Sequence, residues 1–370
     1  MKAPSIFLLL AWCLLVEPDS AVAQTDRKTR NVVLIVTDGL RWQEVFGGAD
    51  SSLMNREHGG VVDTTALRER FWRRTADARR SILLPFFWNV IATKGQVYGN
   101  PAKASIARVS NGLKFSYPGY NELLTGFVDA RITSNEFGPN PNVTVFEWLG
   151  RRPGFRGKVA AFGTWDAFRD IFNDKRSGIF MRVAWEQPIT GPLTGSQAML
   201  DKLYRTTTRL WDDVVYDSFM HEALMDHVRR HRPRVLFVGY GETDIWSHDG
   251  RYDLLLGAAH QVDDFVSDLW STMQQMPEYR GKTTFIITTD HGRGDGLAKW
   301  RNHGRDVEGA EDIWIAVLGP DTPALGEVRN ATPVTQGQIA ATLAALLGEN
   351  YGMHVRAAAQ PISTALSAKP

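Results

Sequence analysis

The chain has 370 residues, with 42 Lys and Arg against 41 Asp and Glu for a formal charge of +1, and one cysteine, Cys13. That balance excludes a polybasic footprint for nucleic acid or an anionic membrane surface. A lone cysteine likewise excludes a disulfide framework and a thiolate metal site.

Met1 and Lys2 precede an apolar run over residues 6–16, and Ala21-Val22-Ala23 follows it. This is the build of a cleavable secretory leader, cut after Ala23, and it predicts a secreted or periplasmic protein. The apolar run is too short to span a bilayer, and no later stretch reaches the length of a membrane helix. The expected organisation is a leader over 1–23, a single α/β domain over 24–356 and a loose tail over 357–370.

Asn31–Thr37, read NVVLIVT, is a β-branched run that ends on Asp38 and Gly39. Taken alone, Asp38-Gly39 reads as a turn. Residues 64–80 are dense in arginine and read as an exposed helix or loop, and residues 83–93 read as a core helix stopped near Gly95. Ser116-Tyr117-Pro118-Gly119-Tyr120 leads into a helical run over 121–125 that Gly126 closes. Proline at the start and glycine at the end match the asymmetry of helix termini. Ser116 is therefore expected at or just before a helix N-terminus, either as a simple cap or where amides and the dipole favour an alkoxide and a bound phosphate.

Residues 159–165 read as a further strand, followed by a helical stretch over 166–172. Residues 211–230 read as a helix whose His221 and His227 lie on its surface. Residues 253–276 are a stronger amphipathic helix. Thr335 and Gln338 suggest a capping box for a last helix through Leu347, closed by Gly348.

Two other strand patterns end as the first one does. Val235–Tyr240 leads through Gly241 to Asp244, and Thr283–Thr288 leads to Asp290 and His291. The short runs without polar alternation read as strands covered on both faces, so the fold class is a doubly wound, mostly parallel α/β sheet with helices on both sides. Ligands bind such sheets beyond the carboxyl ends of the strands. Three strands would bring Asp38, Asp244 and Asp290 to one rim. Asp244 and His248 are four apart and would share one helix face, while His303 follows His291 by twelve residues in a charged, glycine-containing loop.

Jointly these residues resemble the alkaline phosphatase superfamily, which includes nucleotide pyrophosphatase/phosphodiesterases and cofactor-independent phosphomutases. The most specific parts are TTDHG at the third strand end and the Asp-x-x-x-His of Asp244 and His248. The resemblance implies two divalent cations, zinc first and manganese next. Asp38, Asp290 and His291 would hold one, Asp244, His248 and His303 the other, and Ser116 would bridge them as the nucleophile. Asn135 would hold a non-bridging phosphate oxygen, at a spacing from Ser116 slightly shorter than in the diesterases, and Arg131 or Arg293 would serve as a phosphate-binding arginine. The implied activity is hydrolysis of a small phosphate ester, monoester or diester, through a phosphoserine. A sulfatase motif is absent, since Tyr120 stands where Ser-x-Pro-x would continue to arginine. The alternatives are a phosphomutase-like or phosphonate-ester hydrolase activity, or a catalytically silent, metal-stabilised binding protein.

Overall fold

The computed structural model describes residues 27–186 and 193–366. The expected leader and the last four residues of the expected tail lie outside the described residues. The strands are β1 (Asn31–Thr37), β2 (Gln96–Tyr98), β3 (Ala107–Arg108), β4 (Val159–Gly163), β5 (Phe180–Val183), β6 (Val235–Tyr240), β7 (Thr283–Thr288), β8 (Ile315–Leu318), β9 (Gly326–Glu327) and β10 (Val334–Thr335). One eight-stranded sheet has the order β5-β4-β6-β1-β7-β8-β2-β9, and β10 pairs with β3. The first five strands of that order run parallel. β8 is antiparallel to both its neighbours.

β1 is central, and its alternation decides the layering. Val32, Leu34 and Val36 belong to the apolar core on one face, Val33 and Ile35 to the core on the other. Helices Ser116–Thr125, Val145–Arg151 and Gln338–Leu346 supply buried residues to the first core, and Asp217–His231 and Tyr252–Gln275 to the second. A strand buried on both faces shows no polar alternation, which is why its sequence is a continuous apolar run. Thr37 pairs with Tyr240 and Val36 with Thr288, so β1, β6 and β7 end nearly level.

Several expectations are corrected. The arginine-rich segment is helical and mostly exposed, as expected, but is divided into two helices, Thr64–Phe71 and Ala76–Leu83, capped by the side chains of Asp63 and Thr75. The expected core helix over 83–93 is broken: Pro85 cannot donate, and a π-helical turn, Phe87–Ile91, follows it. The Asp263 carboxylate accepts from the amides of Phe86 and Phe87 at the break. His221 is not a surface residue. It is 2% exposed, stacks on Phe265 at 4.2 Å and sits 2.9 Å from the Tyr240 hydroxyl. His227 is half-buried and stacks on Phe180. The start of the last helix keeps half of the expected capping box, since Gln338 accepts from the Thr335 amide while Gly337 is the N-cap. Up to residue 366 the expected loose tail is packed: Ile362 and Ala365 are buried, and the Ala359 amide donates to Gly126 O.

Candidate metal centre and active site

Each of the three level strands passes a carboxylate to the same rim. Asp38 follows β1 directly, Asp244 lies in the helix Glu242–His248 after β6, and Asp290 follows β7 with Thr289 between. The turn after Asp38 needs Gly39, whose φ is +59° and where a Cβ would lie 2.7 Å from Asp244 Oδ1. Asp244 and His248 share one face of their helix, with His248 Nε2 3.4 Å from Asp244 Oδ2. Asp290 and His291 are adjacent, and neither has positive φ. His291 Nε2 lies 3.4 Å from both Asp290 Oδ2 and Asp38 Oδ1.

His303 Nε2 lies 2.9 Å from His248 Nε2 and 3.7 Å from Asp244 Oδ1. The ligand atoms thus gather into two groups, Asp38, Asp244 and His291 on one side and Asp244, His248 and His303 on the other. Asp244 is common to both, whereas the sequence resemblance placed it in one triad only. Asp290 reaches the first group through Oδ2, since Oδ1 accepts from the Gly39 amide.

These residues fit divalent cations. Asp38 Oδ1 and Asp290 Oδ2 are buried with no hydrogen-bond partner, a costly state for carboxylate oxygens that a cation relieves. His291 Nδ1 lies 2.9 Å from Gly292 O and His303 Nδ1 3.1 Å from Lys114 O, so each ring donates there and keeps its Nε2 lone pair for the cluster. Tetrahedral ligation by nitrogen and oxygen at about 2.0–2.1 Å puts ligand atoms roughly 3.3–3.4 Å apart, close to the spacings found here. Carboxylates and imidazoles without thiolates suit zinc or manganese.

The electrostatics agree. Burial, reinforced by Asp244, pushes the Asp38 carboxyl up to about 7 against the Tyr120 hydroxyl that opposes it. Burial and the neighbouring Asp38 and Asp244 push Asp290 well above the carboxylate range. Asp244 goes the other way: burial works against its charge, but Arg293 and the three imidazoles outweigh it and hold the carboxyl well below its usual value. Burial lowers His291 to about 4 and His303 to about 2, and also lowers His248. Neutral imidazoles and mutually repelling carboxylates are the state a cation stabilises.

Ser116 is the first residue of its helix, 6% exposed, with Oγ 3.4 Å from His291 Nε2. The helix approaches the rim closely because Gly119 lies against β7's end, where a Cβ would fall 2.4 Å from Asp290 O. The side-chain oxygen of Asn135 accepts from the Tyr117 amide at 2.9 Å, which holds this residue beside the helix N-terminus. Arg131 is exposed and pairs with Asp129. Arg293 is buried and engages Asp244, Gly39 O and Arg301 O.

Other residues at the centre escaped sequence reasoning. The Tyr120 hydroxyl donates to Asp38 Oδ2 at 2.9 Å, and its spacing of four from Ser116 on one helix is the signal that could have found it. Thr243 Oγ1 donates to Asp38 O, and the Lys114 carbonyl orients His303. Both depend on contacts between distant segments, and no local pattern marks them.

No protein-family model matches the chain, and no curated protein matches it. Solved structures do. The phosphonate monoester hydrolase SpPMH from Silicibacter pomeroyi aligns with a TM-score of 0.57 at 13% identity, over 92% of this chain and 77% of that one. The alkaline phosphatase PafA aligns with a TM-score of 0.56 at 10% identity, over 92% of this chain and 99% of that one. A 2-O GAG sulfatase aligns with a TM-score of 0.55 at 13% identity, over 92% and 75%. At such identities the likeness is one of fold, and these neighbours are hydrolases that share it. The mostly parallel sheet with helices around it is an alkaline phosphatase-like α/β fold, and these alignments cover 92% of the chain.

Proposed function

We propose that the chain is an exported hydrolase of phosphate esters that works with two divalent cations and a serine nucleophile. The observation that carries this reading is the placement of Ser116 Oγ, buried at a helix N-terminus and 3.4 Å from the imidazole of a cluster of three carboxylates and three histidines. Asp38, Asp290 and His291 would hold one cation, Asp244, His248 and His303 the other, with Asp244 near enough to serve both. When bound, the cations supply Lewis-acid stabilisation of charge on the attacking and leaving oxygens.

The residues account for the rest. Ser116 opens its helix, where the dipole favours a negatively charged oxygen and a phosphate, although the Tyr117 amide is taken by Asn135, the Gly119 amide by Phe115 O, and Pro118 has none. Its Oγ gives up its proton to solvent and forms the new bond to phosphorus as the ester P–O bond breaks, and the leaving oxygen takes up a proton from solvent to depart as the alcohol. Water then cleaves the phosphoserine and restores the hydroxyl. The Nδ2 group of Asn135 makes no hydrogen bond among the described residues and can donate to a phosphate oxygen. Tyr120, buried and donating to Asp38, stands where a sulfatase-like motif would need arginine, which favours phosphate over sulfate esters.

Ser116→Ala tests the assignment. It should keep the fold and both cations while turnover of p-nitrophenyl phosphate, bis-p-nitrophenyl phosphate or a phenyl phosphonate ester falls by about three orders of magnitude or more. Rapid quench with labelled substrate should place the phosphate on Ser116 in the wild type. Undiminished turnover, or label on another residue, overturns the reading. Export is tested by sequencing the N-terminus of secreted protein, which should begin at or near Gln24. No helix among the described residues is long and apolar enough to cross a membrane.

A further inference from the structure

A cavity of about 290 Å³ opens beside the helix that carries Ser116. Its walls include Leu113, Pro118, Val128, Ile132 and Thr133, and Arg305 lies at the same cavity. Three of these residues are tied to the candidate active site by short stretches of chain. Pro118 is two residues beyond Ser116, Arg305 is two beyond His303, and Leu113 adjoins Lys114, whose carbonyl holds His303. Two residues span at most about 7 Å, so the cavity flanks the reacting centre.

The walls are built and not merely empty. Asn111 Oδ1 accepts from the amides of Leu113 and Lys114, and the Glu122 carboxylate accepts from the amides of Ser110 and Asn111 and from Asn111 Nδ2. This fixes the loop in the turn that gives Gly112 and Lys114 positive φ. On the opposite wall Asp129 pairs with Arg131 and accepts from Asn142, so its charge is already answered. Arg305 is exposed and has no ion pair among the described residues, so it leaves the rim cationic.

We infer that this cavity receives the organic group of the ester, which makes the substrate class phosphate esters of ring-sized, apolar alcohols. The inference rests on the phosphate-ester reading above. Volume decides the class: an apolar cavity of about 150 Å³ holds one benzene, whereas drug-sized ligands occupy about 300–1,000 Å³. The cavity therefore suits one or two fused rings and is small for a whole nucleotide. The cationic rim suits the anionic end of the ester.

The test compares phenyl phosphate with 2-naphthyl phosphate, whose leaving groups are similarly acidic, on the metal-loaded wild type and on Val128→Trp. Val128 is 42% exposed and lies outside the catalytic machinery, so the indole can fill the cavity without rebuilding the core. The wild type should favour the naphthyl ester by about tenfold in kcat/KM, since one additional ring buries more apolar surface. The variant should lose that preference while inhibition by inorganic phosphate stays unchanged. Calorimetric binding of phenyl- and naphthylphosphonate to the same two proteins gives a readout independent of turnover. Equal binding of the two by the wild type, or a preference that survives Val128→Trp, overturns the assignment of the cavity. Absence of turnover with a binding preference that Val128→Trp removes overturns the hydrolase reading and leaves the cavity assigned.

Discussion

Asp38 shows how much one residue at the centre depends on a neighbour that binds nothing itself. One of its oxygens is buried without a partner and the other accepts from Tyr120. Tyr120→Phe removes that donor and frees the carboxylate to rotate. Loss of such an orienting contact costs roughly 10–100-fold in metal affinity. Competition with a chromogenic chelator should show that loss while the circular dichroism spectrum stays unchanged, and an unaltered affinity would remove Tyr120 from the centre. His303→Ala should lose about one cation per chain by elemental analysis, because Asp244 and His248 alone leave an incomplete group.

At the scale of elements, the distance between the Ser116 helix and the end of β7 is set by a single hydrogen atom on Gly119. A Cβ there would meet Asp290 O at 2.4 Å, and backbone cannot yield as a flexible side chain does. Gly119→Ala should therefore push the helix outward, costing about 1–3 kcal/mol of stability by overpacking. Turnover should fall by about 100-fold, the effect of displacing a reacting group by about 1 Å. Urea unfolding and steady-state kinetics measure the two effects, and wild-type values for both would show that the helix does not need this approach.

The Asp217–His231 helix carries a different consequence of packing. Burial lowers His221 to about 4, against the pull of Asp268, while in the unfolded chain it titrates near 6.5. The folded state thus excludes a proton that the unfolded state accepts. The stabilisation is fully present above pH 6.5 and is lost as pH falls toward 4, by about 2 kcal/mol at pH 5. His221→Gln removes that ionisation, so its melting temperature should fall less steeply than the wild type's between pH 7 and pH 5. Parallel slopes would mean that His221 takes up its proton in the folded state.

For the whole molecule, the centre joins segments from the first, middle and last thirds of the chain, so cations held there cross-link the fold. Ligation at a thousand times the dissociation constant stabilises by about 4 kcal/mol per cation, which for a domain of this size raises the melting temperature by about 6 °C for each. Chelation should lower the transition by about that amount, and zinc or manganese should restore it. A transition indifferent to chelator would argue that the carboxylates of Asp38, Asp244 and Asp290 reach their buried positions without a cation.

The sequence by itself determined the three central strands, because residues buried on both faces of a sheet leave continuous apolar runs that end where the chain turns to polar residues. It also determined the residue types at the rim, since Asp38, Asp244 with His248, and Asp290 with His291 all sit at fixed offsets from those ends. Ser116 was placed at a helix start by the proline and glycine that bound its helix. Only the tertiary structure decided that Asp244 faces both groups, that Arg293 pairs with it while Arg131 pairs with Asp129, and that Tyr120 and Lys114 orient two of the ligands. His221 shows the same divide: a histidine in a helix carries no local mark of burial, and its place was fixed by Phe265 and Tyr240 from other elements. Periodicity and caps are written within a few residues of one another, whereas the partners of a buried polar atom arrive from anywhere in the chain.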